Sequence, residues 1–253
     1  MKNIVYESTI NPSKYWDVNL EGTKTLINSM ELYGCKNFIF SSSATVYGNA
    51  GIGVIDENNI IKPTNIYGQT KAKVEKFLFS KYQENKDWKI INLRYFNPIG
   101  AHKSGLFGDR SILNFNNLFP LLCKAANKEI DFIEIYGNDW NTRDGTCIRD
   151  FIHIMDIANG HISALDYLIN NKSNFLSLNL GTAKGTTVLE LVKIFEKTIN
   201  KKIHYIFSKR RNGDVASYIA SNDMAKRILK WHPTLKLDEM CLDGWKWYLN
   251  SKV

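Results

Sequence analysis

Nowhere does this chain carry a Gly-x-Gly-x-x-Gly or Gly-x-x-Gly-x-x-Gly run, although it has 16 glycines in 253 residues. The turn that hands a diphosphate from a strand to a helix amino terminus is therefore not legible in it. The four cysteines, Cys35, Cys123, Cys147 and Cys241, are scattered without a Cys-x-x-Cys pair. That sets aside a disulfide framework and a thiolate zinc site, and it fits a reduced cytoplasm. No stretch approaches the ~20 apolar residues of a membrane span, and the first residues lack the apolar core of a signal peptide. Acidic residues are outnumbered, 25 against 33 Lys and Arg, for a net charge of +8. Such an excess suits either nucleic acid or an anionic small ligand. Only Ser208-Lys209-Arg210-Arg211 forms a basic cluster, and the six tryptophans are not interleaved with basic residues, which argues against a single-strand binder.

What is present is a globular composition, 44% apolar with five prolines, long enough for one large domain or two small ones. Hydrophobic periodicity predicts helices over residues 19–33, 67 to about 82, 118–127, 155–169, 222–229 and 237–249. A further helix through Leu189, Val192 and Phe195 would be capped by Thr186. Apolar runs at 37–40, 88–94, 132–136, 175–180 and 203–207 predict strands. Strand, helix, strand is the unit of a parallel sheet. Residues 97–114 form a long Gly-containing loop of the kind that carries function.

Two stretches stand out. Lys36-Asn37-Phe38-Ile39-Phe40 leads into Ser41-Ser42-Ser43-Ala44-Thr45-Val46-Tyr47-Gly48. Small hydroxyl residues at the carboxyl end of a buried strand sit where open α/β sheets bind ligands, although a Ser/Thr-rich turn is also common. Downstream lies Tyr67-Gly68-Gln69-Thr70-Lys71. This spacing places a phenol and an ammonium on one helical face, one turn apart. A nearby cation favours the phenolate, so the pair could move a proton to and from a hydroxyl. Taken alone it could equally be an ordinary surface pair.

Together with Leu93-Arg94-Tyr95-Phe96-Asn97-Pro98-Ile99-Gly100-Ala101-His102 and Arg149-Asp150-Phe151-Ile152-His153, these stretches resemble the UDP-glucose 4-epimerases. Those are extended members of the short-chain dehydrogenase/reductase superfamily. The resemblance runs over nearly the whole chain. It implies an α/β fold, an incomplete Rossmann-like parallel sheet with a smaller α/β substrate-binding C-terminal domain. Residues 1–100, with contributions from about 145–182, would form the remaining NAD-binding domain, and residues 101–253 mainly the UDP-sugar domain. The activity implied is interconversion of UDP-glucose and UDP-galactose through a 4-keto sugar, with tightly held NAD, in galactose metabolism, by a cytoplasmic homodimer.

The resemblance also assigns residues. Tyr67 would be the catalytic base for the C4 hydroxyl. Lys71 would bind the nicotinamide ribose and depress the phenol, and Ser43 would hydrogen-bond the reacting oxygen. Asn19 would brace the cofactor region, where an N-cap is the plainer alternative. Tyr95 and Phe96 would lie beside the nicotinamide, where core packing is the plainer alternative. On the substrate side, Asn97 would sit near the sugar and pyrophosphate, and Asn117 would open a helix that attracts phosphate. Arg149 and Arg211 would grip the pyrophosphate with their planar forks. Asp214 would bind the uridine ribose, Tyr136 would border the uracil, and Tyr218 would restrict the sugar to forms without an N-acetyl group. Ser43-Ala44-Thr45 stands where related 4,6-dehydratases usually carry Thr-Asp-Glu, so dehydration lacks its carboxylates.

Two positions depart from that pattern: Asn11 stands for a lysine before Pro12, and Tyr6 for a glycine before Glu7. The missing Gly-rich turn implies a larger departure. On this resemblance the chain starts near the end of the fourth strand, with about three strands and their helices absent. A truncated gene, a wrongly assigned start or half of a split protein would each produce this. A central parallel strand is then expected to become an edge with uncovered apolar faces, completed by another chain or by local rearrangement. The alternative to an active enzyme is an inactive remnant, or a partner-dependent fragment, that still binds UDP-sugar.

Overall fold

The computed structural model describes residues 5–51, 53–108, 117–171, 174–211 and 214–251. Two short helices, α1 (Val5–Ile10) and α2 (Pro12–Tyr15), lead through a π-helical turn, Trp16–Glu21, into α3 (Gly22–Leu32). The helix expected from residue 19 thus begins as a wider turn. Asn19 sits inside that turn rather than capping a helix. Strand β1 (Asn37–Ser43) ends in a 3-10 turn, Ala44–Tyr47. After β2 (Val54–Ile55) come α4 (Ile66–Glu84), β3 (Lys89–Tyr95) and β4 (Asn97–Ile99). Residues 109–114 of the expected long loop lie outside the described residues.

The chain continues with α5 (Leu118–Ala126), β5 (Ile133–Tyr136), β6 (Ile148–Arg149), β7 (Phe151–His153), α6 (Ile154–Asn170) and β8 (Asn174–Leu180). It ends with β9 (Thr186–Thr187), α7 (Val188–Ile199), β10 (Tyr205–Ser208), β11 (Ser217–Ala220), α8 (Asp223–Leu229) and α9 (Leu237–Asn250). The α7 cap is Thr187, one residue later than expected. Its hydroxyl accepts from the Glu190 amide while the Glu190 carboxylate accepts from the Thr187 amide, a reciprocal box that Thr186 cannot form.

The principal sheet is parallel, in the order β1-β3-β8. Its period of two sends alternate residues to opposite faces. Phe40, Ile90, Val74, Leu78, Ile27 and Trp88 pack in the layer with α3 and α4. Ile91, Leu93, Leu178, Ala164 and Leu168 pack in the layer with α6 and α8. A separate core gathers α5, α7 and α9 around β5, with Phe119, Phe195 and Trp245 at its centre. Between the two lies a small sheet ordered β2-β11-β6-β9.

Among the described residues β1 pairs only with β3, so it is an edge of this sheet. Along the outward side of α6, Ile162, Leu165 and Ile169 are 59%, 47% and 59% exposed. Apolar surface thus stands uncovered on the helix packed over β1 and β3. No helix among the described residues is long and apolar enough to cross a membrane.

Candidate active site

Helix α4 begins against the Ser-rich turn because two small features allow it. The Asn65 side chain caps it by accepting from the Gly68 amide at 2.8 Å. Gly68 itself has no room for a side chain, since an added Cβ would stand 2.6 Å from the Thr45 carbonyl oxygen. The helix can therefore press its first turn onto the end of β1. That contact brings Tyr67 near Ser43, close enough for the Ser43 hydroxyl to bear on the ionisation of the phenol. The Ser43 hydroxyl also accepts from the Thr45 amide and hydroxyl at 3.3 and 3.0 Å, so it caps the 3-10 turn and faces the phenol together.

Lys71 lies one turn on, 3% exposed. Its ammonium is 5.6 Å from the Tyr67 ring centre and 4.9 Å from that of Phe40, and it donates to the Ser41 carbonyl at 2.6 Å. Burial draws the ammonium down to about 8, partly opposed by Glu75. The expected depression of the phenol is corrected here. Burial pushes Tyr67 up, opposed by the nearby Ser43 hydroxyl. Desolvation of the anion is the largest cause, and Lys71 is not among the groups that oppose it.

Behind this pair stands a buried network that sequence reasoning missed. Glu75 accepts from Arg94 at 3.0 and 2.6 Å and from the Ser42 hydroxyl at 2.5 Å. Arg94 also donates to the Tyr47 hydroxyl at 2.9 Å, and Tyr47 donates to Asn179 at 2.7 Å. The network ties α4 to all three strands of the principal sheet. Asn19 holds α4 by a separate bond, its side-chain amide donating to Thr70 at 3.1 Å. Asp150 was likewise unassigned. Its buried carboxylate accepts from the amides of Thr182, Ala183 and Ala220 and from the Thr182 hydroxyl, pinning β8 and β11 beside the Arg149 strand.

Tyr95 ends β3 and Phe96 follows it. The register sets Tyr95 beside Ser43, and Tyr95 donates to the Ser41 hydroxyl at 2.9 Å. Phe96 is buried against Tyr218, ring centres 5.6 Å apart. Tyr218 donates to the Ala44 carbonyl at 2.5 Å, which carries β11 to the rim of the Ser43 turn. Its register partner is Arg149. The Arg149 guanidinium donates to the Val215 carbonyl at 2.8 Å and to Asp214 at 3.2 Å. Arg211 is exposed and stacks over Tyr136 at 4.2 Å. Asn97 continues the path from β3, its amide bonded to the Asp150 carbonyl at 2.9 Å. Asn117 precedes α5, with no side-chain cap to the helix.

Two groups emerge. Ser43, Tyr67, Lys71, Asn19, Tyr95, Phe96 and Tyr218 surround the carboxyl ends of β1 and β3. Arg149 with Asp214, and Arg211 with Tyr136, form two pairs on the second half of the chain. Asn11 is exposed at the start of α2. The side chain of Tyr6 lies outside the described residues.

A family model described as GDP-mannose 4,6 dehydratase matches residues 2–243. The UDP-glucose 4-epimerase of Bacillus subtilis is 44% identical over 243 residues, 96% of this chain and 71% of its own length. That of Dictyostelium discoideum is 45% identical over the same shares. Among solved structures, the epimerase from Stenotrophomonas maltophila with bound NAD and formylated UDP-arabinopyranose superposes with a TM-score of 0.96 at 37% identity, covering 99% of this chain and 74% of that one. The Bifidobacterium longum epimerase in complex with NAD+ and UDP superposes at 0.91 and 38% identity, covering 99% and 75%. Although the family model takes its description from a dehydratase, the turn after β1 offers Ser43, Ala44 and Thr45 and no carboxylate. The chain belongs to the UDP-glucose 4-epimerase family, within the nucleotide-sugar enzymes that share this NAD-binding α/β fold.

Proposed function

We propose that this protein interconverts UDP-glucose and UDP-galactose with Tyr67, Lys71 and Ser43 as its proton-handling group. The observation that carries the reading is the buried Lys71 ammonium 5.6 Å from the Tyr67 ring centre, with the Ser43 hydroxyl close enough to the phenol to bear on its ionisation. The residues at the carboxyl ends of β1 and β3 suit the nicotinamide end of NAD. They offer a cation for ribose hydroxyls in Lys71, aromatic faces in Tyr95 and Phe96, and Asn19 as a brace on the helix that bears them. NAD supplies reversible acceptance of a hydride from C4 of the sugar. Tyr67 then takes the C4 hydroxyl proton as the carbonyl forms and returns it as the alcohol reforms on the other face. Ser43 holds the same oxygen. Lys71 favours the anionic form of Tyr67 at the moment of transfer, against the burial that otherwise raises it.

The UDP moiety falls to the second group. Arg149 and Arg211 supply forked donors for the pyrophosphate, Asp214 the ribose hydroxyls and Tyr136 the uracil face. Asn97 and Asn117 reach the sugar and the phosphates, and Tyr218 crowds the sugar pocket against an N-acetyl group. In this reading residues 1–100, with about 145–182, serve the cofactor, and residues 101–253 mainly serve the nucleotide sugar. The setting is the cytoplasm and the working form a homodimer.

One observation favours a partner-dependent form. Among the described residues β1 is an open edge, beneath a helix whose Ile162, Leu165 and Ile169 stand exposed. A further chain pairing with that edge would cover the α6 stripe and supply the diphosphate turn. Titration of the purified chain with NAD and with UDP separates the cases. Submicromolar binding of both, with turnover of UDP-galactose, supports the autonomous enzyme. UDP binding without NAD binding supports the partner-dependent fragment. Binding of neither overturns both.

A further inference from the structure

We propose that His161 is a positioning residue for Tyr95, holding that ring beside Tyr67 and Ser43 through a hydrogen-bonded line Ser41–Tyr95–His161. Tyr95 is the last residue of β3, in register with Ser43. The pleat sets the face of the sheet that its side chain takes, and the bonds of its hydroxyl set where the ring points on that face. On one side it donates to the Ser41 hydroxyl at 2.9 Å. On the other its hydroxyl meets Nε2 of His161 in a close polar contact, and the two rings meet edge to face with centres 5.7 Å apart. His161 is carried by α6, across the sheet from the helix that bears Tyr67 and Lys71. The two helices thus hold the candidate site from opposite faces, α4 through Tyr67 and α6 through Tyr95.

The chemistry defines the proton positions. Tyr95 has one hydroxyl proton, directed to Ser41. Burial holds the imidazole below its ordinary range, so it is neutral near pH 7, and a neutral imidazole carries a single N–H. With the Tyr95 proton directed to Ser41, the proposed line places that N–H on Nε2, pointing at the Tyr95 oxygen. Among the described residues burial alone accounts for that displacement. Tyr95 is in turn close enough to Tyr67 for an ionised Tyr67 to disfavour ionisation of Tyr95.

The proposal rests on the proposed function for its effect on turnover, but the line itself is readable without it. The 253-residue chain labelled with 15N-histidine and 13Cζ-tyrosine is compared by NMR with His161→Phe, His161→Gln and Tyr95→Phe. The expected result is reciprocal: His161→Phe moves the Tyr95 Cζ resonance, Tyr95→Phe moves the His161 nitrogens, and wild-type His161 shows the Nε2–H tautomer. His161→Gln, whose amide can donate over the same span, keeps the Tyr95 resonance near its wild-type position. In the NAD-loaded protein His161→Phe lowers kcat for UDP-galactose by about fivefold, as for loss of one hydrogen bond, with KM unchanged, and His161→Gln restores it. Tyr95 resonances that do not respond to His161→Phe, or an Nδ1–H tautomer, overturn the line. An unchanged kcat with reciprocal shifts intact overturns its role in positioning. Absence of turnover in the wild type removes the epimerase reading and leaves the line judged by the spectra.

Discussion

The proton-handling end of the site and its diphosphate-gripping end are built by opposite means. Around Tyr67 and Lys71 the polar groups are buried and bonded to each other across the sheet, through Glu75, Arg94, Tyr47 and Asn179. Around Arg149 and Arg211 they stand on short strands and turns. Arg149 is braced by carbonyls and Asp214, and Arg211 lies exposed over an aromatic ring. A proton must pass between atoms held in fixed register, so rigidity serves the first end. A pyrophosphate is gripped by charge and forked donors, which tolerate an open surface. Substitutions at the first end should therefore damage the chemistry or the fold, and those at the second should damage affinity alone.

Tyr67→Phe gives the sharpest test. It removes one hydroxyl from a side chain already buried against Tyr15. Turnover of UDP-galactose should fall about 10²–10⁴-fold, the range for losing a positioned acid–base group. UDP affinity by calorimetry should stay within about twofold. Normal turnover would mean that another group takes the proton.

Glu75→Gln should come next. It strands a buried arginine, and breaking a buried pair from one side costs about 3–5 kcal/mol. Urea unfolding should show that loss, and Glu75→Gln with Arg94→Met should recover much of it, because an apolar replacement leaves no unpaired charge. A single variant as stable as the wild type would show that the network does not hold α4 in place.

The difference between the two ends also explains what could be read from the chain before folding. Tyr67 and Lys71 were legible because helical spacing alone brings residues four apart onto one face. The network behind them was not. Arg94 lies 19 residues from Glu75, Arg94 and Tyr47 are 47 apart, and Tyr47 and Asn179 are 132 apart. Only the strand register brings these together. The direction of the phenol's shift was missed for the same reason: spacing reveals a neighbouring charge but not the burial of the phenol. Asn19 was legible as a polar residue at a helix start, yet its bond to Thr70 depends on a π-turn that propensity does not announce. The arginines were legible only as a set resembling a known family, since a lone arginine near a turn has no periodicity to give it away.

At the second end, Arg211→Ala should weaken UDP binding about 10–30-fold, the loss of one charge-assisted contact to phosphate. Its exposure predicts a change in unfolding free energy within about 0.5 kcal/mol. A large loss of stability would place Arg211 in the fold rather than at the ligand and blur the contrast between the two ends.

The smallest expected effect bears on the contrast through pH. Burial draws the Lys71 ammonium down to about 8, whereas in the unfolded chain a lysine titrates near ~10.4. Between those values the unfolded chain still binds a proton that the folded chain has released. Stability therefore rises with pH across that window, with a limiting slope of about 1.4 kcal/mol per pH unit. The buried phenols act in the opposite sense. Burial raises Tyr67, and Tyr47 is pushed up to about 12, so above about pH 10 the folded chain keeps protons that the unfolded one has lost, and stability falls. Lys71→Met removes only the first contribution. Between pH 7.5 and 9.5 the wild type should gain about 1–2 kcal/mol in urea unfolding relative to this variant. A constant difference between the two proteins would mean that Lys71 titrates as a solvated lysine, and that the end of the site bearing Tyr67 is as open to water as the end bearing Arg211.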